Sequence, residues 1–348
     1  MRALPRLGPR WARRLGRRRP GGQRAPGSAE LTAVSEEDRR WLSTLHDDTV
    51  ALPAHTAQAL RDDHPRLVEL RRRYADLDLP VLAASRWTPS AVRGFLDLPW
   101  FRGETLITWH YRELPRISAL KYFLYAEYVT RRDKLGLLRT LDEDGLFGCW
   151  TYDYPGHPRY RRDLLDSVNE LAFLGRHLDL GPHRQTAVLD IGAGYGRLAH
   201  RMTSADLGVS DYCCVDAVAE STFLSEFYLA FRGCSPPARV VTLDAIEATL
   251  KAGAFDLAVN VHSWSECTYP AVAWWIDLLA RLGVPRLLLV PNEATELLTL
   301  EGDGSRRDFA PLLAAAGYRL SHREPVIDDP AVRELMRLDD HFHLFVAD

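Results

Sequence analysis

Val188-Leu189-Asp190-Ile191-Gly192-Ala193-Gly194-Tyr195-Gly196-Arg197 decides how this chain folds. Apolar residues run into an acidic one, three glycines follow at alternate positions, and a helical pattern begins at Leu198 to Met202. That is a buried strand, a tight turn and a helix N-terminus. Glycine has no Cβ and tolerates positive φ, so a ligand can approach bare backbone at such a turn. The first helix amides then face the ligand with partial positive charge.

The dinucleotide fingerprint G-x-G-x-x-G fails here, because its last position falls on Arg197. A phosphate-binding loop fails too, since no Gly-Lys-Ser/Thr follows. The observed spacing, D-x-G-x-G-x-G, resembles motif I of the class I S-adenosylmethionine (SAM) dependent methyltransferases. SAM offers a carboxylate, an amine and a ribose instead of a phosphate. The competing reading is an α/β fold that merely places glycines after its first strand.

Later signals follow in order. Tyr212 to Val215 is a short apolar run ending in Asp216, 20 positions beyond Gly196. An acidic residue at the end of the second strand can accept both ribose hydroxyls. Arg239 to Leu243 ends in Asp244-Ala245. In SAM enzymes a carboxylate there faces the adenine amino group; the alternative is a helix N-cap. Strands are predicted at 187–191, 211–215, 239–243, 255–261, 286–290, 318–324 and 342–347. Helices are predicted near 197–203, 218–232, 270–282 and 307–316. Alternation of this kind implies a parallel sheet. The fold expected is α/β, a Rossmann-like seven-stranded class I methyltransferase sheet behind a mainly helical N-terminal domain. Three segments result: a disordered tail (1–30), a helical acceptor or lid domain (31–180) and the SAM-binding domain (181–348).

Composition narrows the class. The chain has 348 residues, 46% hydrophobic and 26% charged, with a formal net charge of −3. Residues 1–29 hold nine arginines and no acidic residue, so the rest of the chain carries about −12. An acidic body argues against a nucleic-acid partner. The tail lacks the apolar centre of a secretory signal and reads as disordered or as an over-extended start, with a transit peptide or nucleic-acid arm as alternatives. No apolar run approaches the roughly 20 residues that span a bilayer. Five cysteines, odd in number and without C-x-x-C spacing, fit a reducing cytoplasm.

In the helical half, apolar spacing is clear at Leu67, Leu70 and Tyr74, from Leu120 to Val129, and from Leu164 to Leu178. Aromatic residues cluster at Trp100-Phe101, Trp109-His110-Tyr111, Trp150, Tyr152 and Tyr154. Such faces suit sugar C–H groups, although most aromatics are core.

The fourth strand runs into His262-Ser263-Trp264-Ser265-Glu266-Cys267. Ligands sit at the carboxyl ends of strands in such sheets, and strands one and four are neighbours at the switch point. This tip is therefore expected to face the methyl group. Deprotonating an acceptor hydroxyl calls for a base with a pKa near neutrality. His262 is the candidate, with Glu266 as orienter or alternative base; a histidine that only holds the loop is the competing reading. Asn260 and Ser263 are candidates for hydrogen bonds to cofactor or acceptor. Asp328-Asp329 and Asp339-Asp340-His341-Phe342-His343 gather hard ligands that suit a magnesium ion. Solvated loop charge explains such clusters more often, and no residue is assigned to a metal.

The runs RRDLLDSVNELAFL (161–174), DIGAGYGRLAHRM (190–202), CVDAVAESTFLSEFYLAFRG (214–233), ARVVTLD (238–244) and FDLAVNVHSWSECTYPAVAWWIDLLARLGVPRLLLVPN (255–292) together resemble the bacterial sugar O-methyltransferase family. The resemblance implies SAM as cofactor and a small-molecule or glycan hydroxyl as acceptor. It carries over Asp190, Gly192, Gly194, Asp216 and Asp244 as SAM contacts. Ala193, Gly196, Ala217, Ala245 and Asn260 are the neighbouring positions expected to complete that site. Other acceptors, hydroxyl or amine, and a non-catalytic SAM-binding protein remain as alternatives.

Overall fold

The structure is a computed structural model that describes residues 50–83, 86–103, 115–149, 151–152, 159–292 and 294–348. The tail and the aromatics Trp109, His110, Tyr111, Trp150 and Tyr154 lie outside the described residues. The chain runs through α1 (Ala54–Ala59), α2 (Pro65–Ala75), α3 (Pro89–Phe95), α4 (Pro115–Arg132) and α5 (Arg162–His177). Then come β1 (Thr186–Ile191), α6 (Arg197–Ser204), β2 (Val209–Val215), α7 (Ala219–Phe231) and β3 (Ala238–Val240). The last part holds α8 (Ile246–Thr249), β4 (Leu257–Val261), α9 (Tyr269–Leu282), β5 (Arg286–Val290), α10 (Ala310–Ala315), β6 (Tyr318–Pro325), α11 (Pro330–Met336) and β7 (His341–Ala347).

The strands form one sheet in the order β3-β2-β1-β4-β5-β7-β6. β1 to β5 pair in parallel; β7 pairs antiparallel with both β5 and β6. This is the expected Rossmann-like class I methyltransferase sheet, with β1 beside β4 where the strand order reverses. Most boundaries differ from expectation by at most two residues; three of the differences have a clear local reason. β3 stops at Val240 because Leu243–Ala245 coils into a 3₁₀ turn. β4 starts at Leu257 because the Asp256 carboxylate leaves the ladder direction to accept the Ala187 N–H at 2.8 Å. α10 starts at Ala310 because Asp308 bridges to Leu298 and its side chain accepts the Ala310 N–H.

Alternation along the central strands splits the interior into two cores. Leu189, Ile191, Cys213, Val215, Ala258, Leu287 and Leu289 face one side, against Leu67, Leu70 and Tyr74 of α2 and the buried faces of α7 and α9. Val188, Tyr212, Cys214, Leu257, Val259 and Leu288 face the other, against Tyr125 and Val129 of α4 and against α5 and α6. Adjacent Cys213 and Cys214 thus point to opposite faces. Residues before and after position 180 share each core. Leu164, Leu165, Val168 and Leu171 of α5 are fully buried, each such side chain stabilising the fold by about 1.5–3 kcal/mol. The outer strand β6 exposes Arg319, His322 and Arg323, charge that discourages pairing along a free edge. Among the described residues no helix is long and apolar enough to cross a membrane.

α2 is pinned to the sheet by one buried hydroxyl. Tyr74 Oη lies 2.9 Å from Thr222 Oγ1 and accepts the Leu243 N–H at 2.9 Å. Tyr74→Phe is expected to lower unfolding free energy by about 1–3 kcal/mol, because a buried amide loses its partner. Urea denaturation of both proteins measures the difference.

Candidate active site

The turn after β1 folds as its glycines require. Gly192, Gly194 and Gly196 have φ of +73°, +59° and +83°, a region that residues with a Cβ enter at a cost. At Gly192 a Cβ would stand 2.3 Å from Ser263 Oγ, so the β4 tip approaches closely only because none is there. At Gly194 a Cβ would meet nothing within 4 Å, which leaves bare backbone facing open space. Gly196 caps α6 in the left-handed conformation, packed on Ser225 and Leu229. The amides of Gly192 and Ala193 donate to Val215 O at 2.9 and 3.3 Å, tying the turn to the end of β2.

Asp216 stands at that end. One carboxylate oxygen accepts the Gly194 N–H at 3.0 Å and the other the Val218 N–H at 2.8 Å. Burial raises its pKa to about 6 even though backbone donors oppose the rise. The Ala217 N–H adds a third backbone donor to the carboxylate. Ala217, partly buried, follows beside it.

Asp190 and Asn260 support the turn from behind. Asp190 is buried and accepts the Tyr212 hydroxyl at 2.9 Å; burial raises its pKa to about 7. Asn260 is fully buried. Its Nδ2 donates to Ile191 O at 2.7 Å and its Oδ1 accepts the Trp264 N–H at 3.1 Å. Both ends of the amide serve the backbone.

The β4 tip carries the titratable groups. His262 has φ of +64°. Its amide donates to Val290 O at 2.7 Å, while its half-exposed ring brings Nε2 within 3.4 Å of Asp340 Oδ2. Burial depresses the imidazole pKa, but Asp340, together with Glu170 and Glu266, outweighs it and the net shift is upward. The carboxylate beside the His262 ring is thus Asp340, not Glu266. Glu266 is buried and committed elsewhere: it accepts Trp87 Nε1 at 2.6 Å and Asn292 Nδ2 at 3.1 Å, with Arg86 at 3.3 Å.

Asp244 is exposed at the 3₁₀ turn and pairs with Arg73 of α2 through contacts of 2.9 and 2.5 Å. No cap bond forms, and Ala245 follows it half-buried. The C-terminal acidic and histidine cluster is dispersed. Asp328 accepts Tyr128 Oη and pairs with Arg132, Asp329 caps α11, and Asp340 serves His262. Its members do not converge on a magnesium ion. Among the described residues Glu143, Cys149 and Asp163 lie close enough to share a metal, but Arg102 and Arg201 already contact the carboxylates. Pattern reading missed Arg73, which is 171 positions from its partner. It also assigned Asp340 to a possible metal cluster. The adjacent histidines were the misleading signal.

No protein-family model matches the sequence, and no curated protein matches it. Among solved structures the chain is similar to the [4+2]-cyclase SpnF, at 17% identity over 53% of this chain and 81% of that one, with a TM-score of 0.40. It is similar to a SAM dependent methyltransferase from Aquifex aeolicus, at 14% identity over 53% and 93%, TM-score 0.40. An S-adenosylmethionine dependent methyltransferase from Mesorhizobium loti shows 13% identity over 51% and 97%, TM-score 0.37. Likeness this slight assigns no activity and no substrate to the chain.

The raised pKa of Asp190 has a sign. The folded state holds this proton more tightly than the unfolded chain, whose Asp titrates near about 3.9. The carboxylate's contribution is therefore lost progressively from that value up to about 7. Asp190→Asn is expected to gain stability relative to wild type across this window, by up to a few kcal/mol, and to gain nothing more above it. Chemical denaturation of both proteins at acid and alkaline ends of the range measures the gap.

Proposed function

We propose that this chain is a SAM-dependent methyltransferase that transfers a methyl group to a hydroxyl of a sugar or a glycosylated small molecule. The supporting observation is an open glycine turn after β1 and an imidazole–carboxylate pair after β4, its neighbour in the sheet. Gly194 presents unobstructed backbone, Asp216 ends β2, and His262 and Asp340 stand at the neighbouring strand ends. SAM supplies a sulfonium-bound methyl group that needs no further activation. The backbone from Gly192 to Gly196 with Ala193 and Ala217 holds the nucleoside, and Asp216 accepts the ribose hydroxyls. Asp244 and Ala245 border the base. Engaging Asp244 there requires Arg73 to share it or release it.

His262 acts as general base. With Nε2 turned to Asp340, Nδ1 is the nitrogen that accepts the hydroxyl proton, and Asp340 stabilises the imidazolium that forms. Methyl transfer is then a matter of positioning and exclusion of water. The helices before residue 180 serve as the acceptor-binding and lid portion. The sugar class rests on the sequence resemblance between 161 and 292. Five free thiols are compatible with a cytoplasmic setting.

Three outcomes test this reading. The purified protein is expected to take up SAM and S-adenosylhomocysteine in calorimetry, and Asp216→Ala to weaken both by about 1–3 kcal/mol; a protein that binds neither overturns the proposal. His262→Ala is expected to leave cofactor affinity intact and cut turnover about 10²–10⁴-fold, assayed with labelled SAM and a panel of sugars, glycosides and non-sugar alcohols. The base must be neutral, so the wild-type rate rises with pH through the elevated His262 pKa. Asp340→Asn removes the carboxylate that raises it most, and the rise is expected at lower pH with a lower plateau.

A further inference from the structure

A buried ionic cluster links α5 to the glycine turn. Arg102, Arg161 and Arg201 are each at most 3% exposed, as are Glu143 and Asp163. Glu143 is shared by Arg102 at 2.6 Å and Arg201 at 2.5 Å. Asp163 contacts Arg102 at 3.3 Å and accepts the hydroxyl of Tyr195, between Gly194 and Gly196, at 2.7 Å. Asp144, a third carboxylate, half-exposed, pairs with Arg232 and lies 3.6 Å from Arg102.

With Arg232 counted, four cations meet the three carboxylates, and Arg102, Arg201 and Arg232 each have a carboxylate within hydrogen-bond distance while Arg161 does not. Its nearest carboxylate oxygen, on Asp163, stands 3.8 Å from Nε. Among the described residues none accepts a hydrogen bond from its Nε, Nη1 or Nη2, although the side chain is 3% exposed. A guanidinium carries five donors in a rigid fork that matches a carboxylate. Leaving all of them unmet in the interior is costly, and an anion would offset that cost. Arg161 also immediately precedes the first turn of α5, where helix amides favour negative charge.

We infer that Arg161 is the receptor for a ligand carboxylate delivered to the glycine turn, namely the methionyl carboxylate of the cofactor. The inference rests on the SAM reading above and adds a residue that the strand-edge motif does not contain. Tyr195 is the link: its backbone is part of the turn, and its hydroxyl anchors the same Asp163 that stands beside Arg161. The nucleoside and the amino-acid end of one ligand thereby reach two parts of one connected structure. Arg197, the other cation next to the turn, is unsuited to this role. It is held by both oxygens of Glu170, at 2.9 and 3.0 Å, and by Ser167.

The test compares SAM with decarboxylated SAM, which keeps nucleoside, sulfonium and amine. Binding of each to the full-length protein is measured by calorimetry, alongside ligand-free thermal denaturation. Wild type is expected to favour SAM by at least about tenfold. Arg161→Met is expected to lose that preference while keeping its affinity for decarboxylated SAM. Arg161→Lys is expected to retain part of the preference. Unchanged preference in Arg161→Met overturns the inference, as does equal wild-type affinity for the two ligands. A Met variant that melts lower and weakens both ligands equally overturns it too, because Arg161 would then be structural. If wild type binds neither ligand, the SAM reading itself fails.

Discussion

The side-chain amide of Asn260 sets the gap on which the site depends. It donates to the last carbonyl of β1 and accepts from the first amide of the turn after β4. Parallel strands are joined by ladder bonds only as far as both are extended; beyond Asp190 and Val259 the two chains part. The amide replaces the missing rungs with side-chain bonds made in the dry interior, where such bonds hold firmly and unmet groups cost most. Because the gap is fixed, Ser263 closes on Gly192, and only a glycine can stand there. His262, between the ladder and the clamp, is forced into the left-handed region. Strain of that kind persists only where the surroundings dictate it.

Period and turn chemistry made the scaffold legible. A run of apolar residues ending in an acidic one, glycines at alternate positions and a helical pattern are local properties, so β1, the turn and α6 were readable from about fifteen residues. Neighbouring β1 and β4 followed from the switch-point rule, and the side-by-side placement of turn and tip came with it. The partners of the polar residues were not readable. Asp340 lies 78 positions from His262 and Arg73 lies 171 from Asp244, and no periodicity links them. Asn260 and Glu266 have residue types that suit ligands, but buried polar groups are more often consumed by the fold. Asn260 went to two backbone groups, and Glu266 to Trp87, Arg86 and Asn292.

The N-terminal helices explain a further part of what local reading missed. α2 lies across the ends of β2 and β3, where its Tyr74, Arg73 and Arg71 meet Thr222, Asp244 and Glu220. Apolar anchors Leu67 and Leu70 seat the helix, and the arginines then find carboxylates on α7 and on the 3₁₀ turn. The partly exposed Arg73–Asp244 pair contributes little to stability. It is correspondingly easy to exchange for a competing ligand. The edge where a nucleoside would bind is therefore bordered by one ion pair, Arg73–Asp244, that a ligand can displace at low cost, beside a helix held in place by buried contacts.

The antiparallel last strand is what completes the edge chemically. In a wholly parallel sheet every strand presents its carboxyl end on the ligand side and its amino end on the other. β7 is reversed beside β5, so its beginning, not its end, reaches the ligand edge. Pairing of Leu289 with His343 places Asp340 just beyond the end of β5, and β5 is the neighbour of β4. A carboxylate that starts one strand can thus meet an imidazole that ends another. The reversal of β7 converts a position remote in sequence into the partner of His262, which no arrangement of parallel strands alone would bring to this edge.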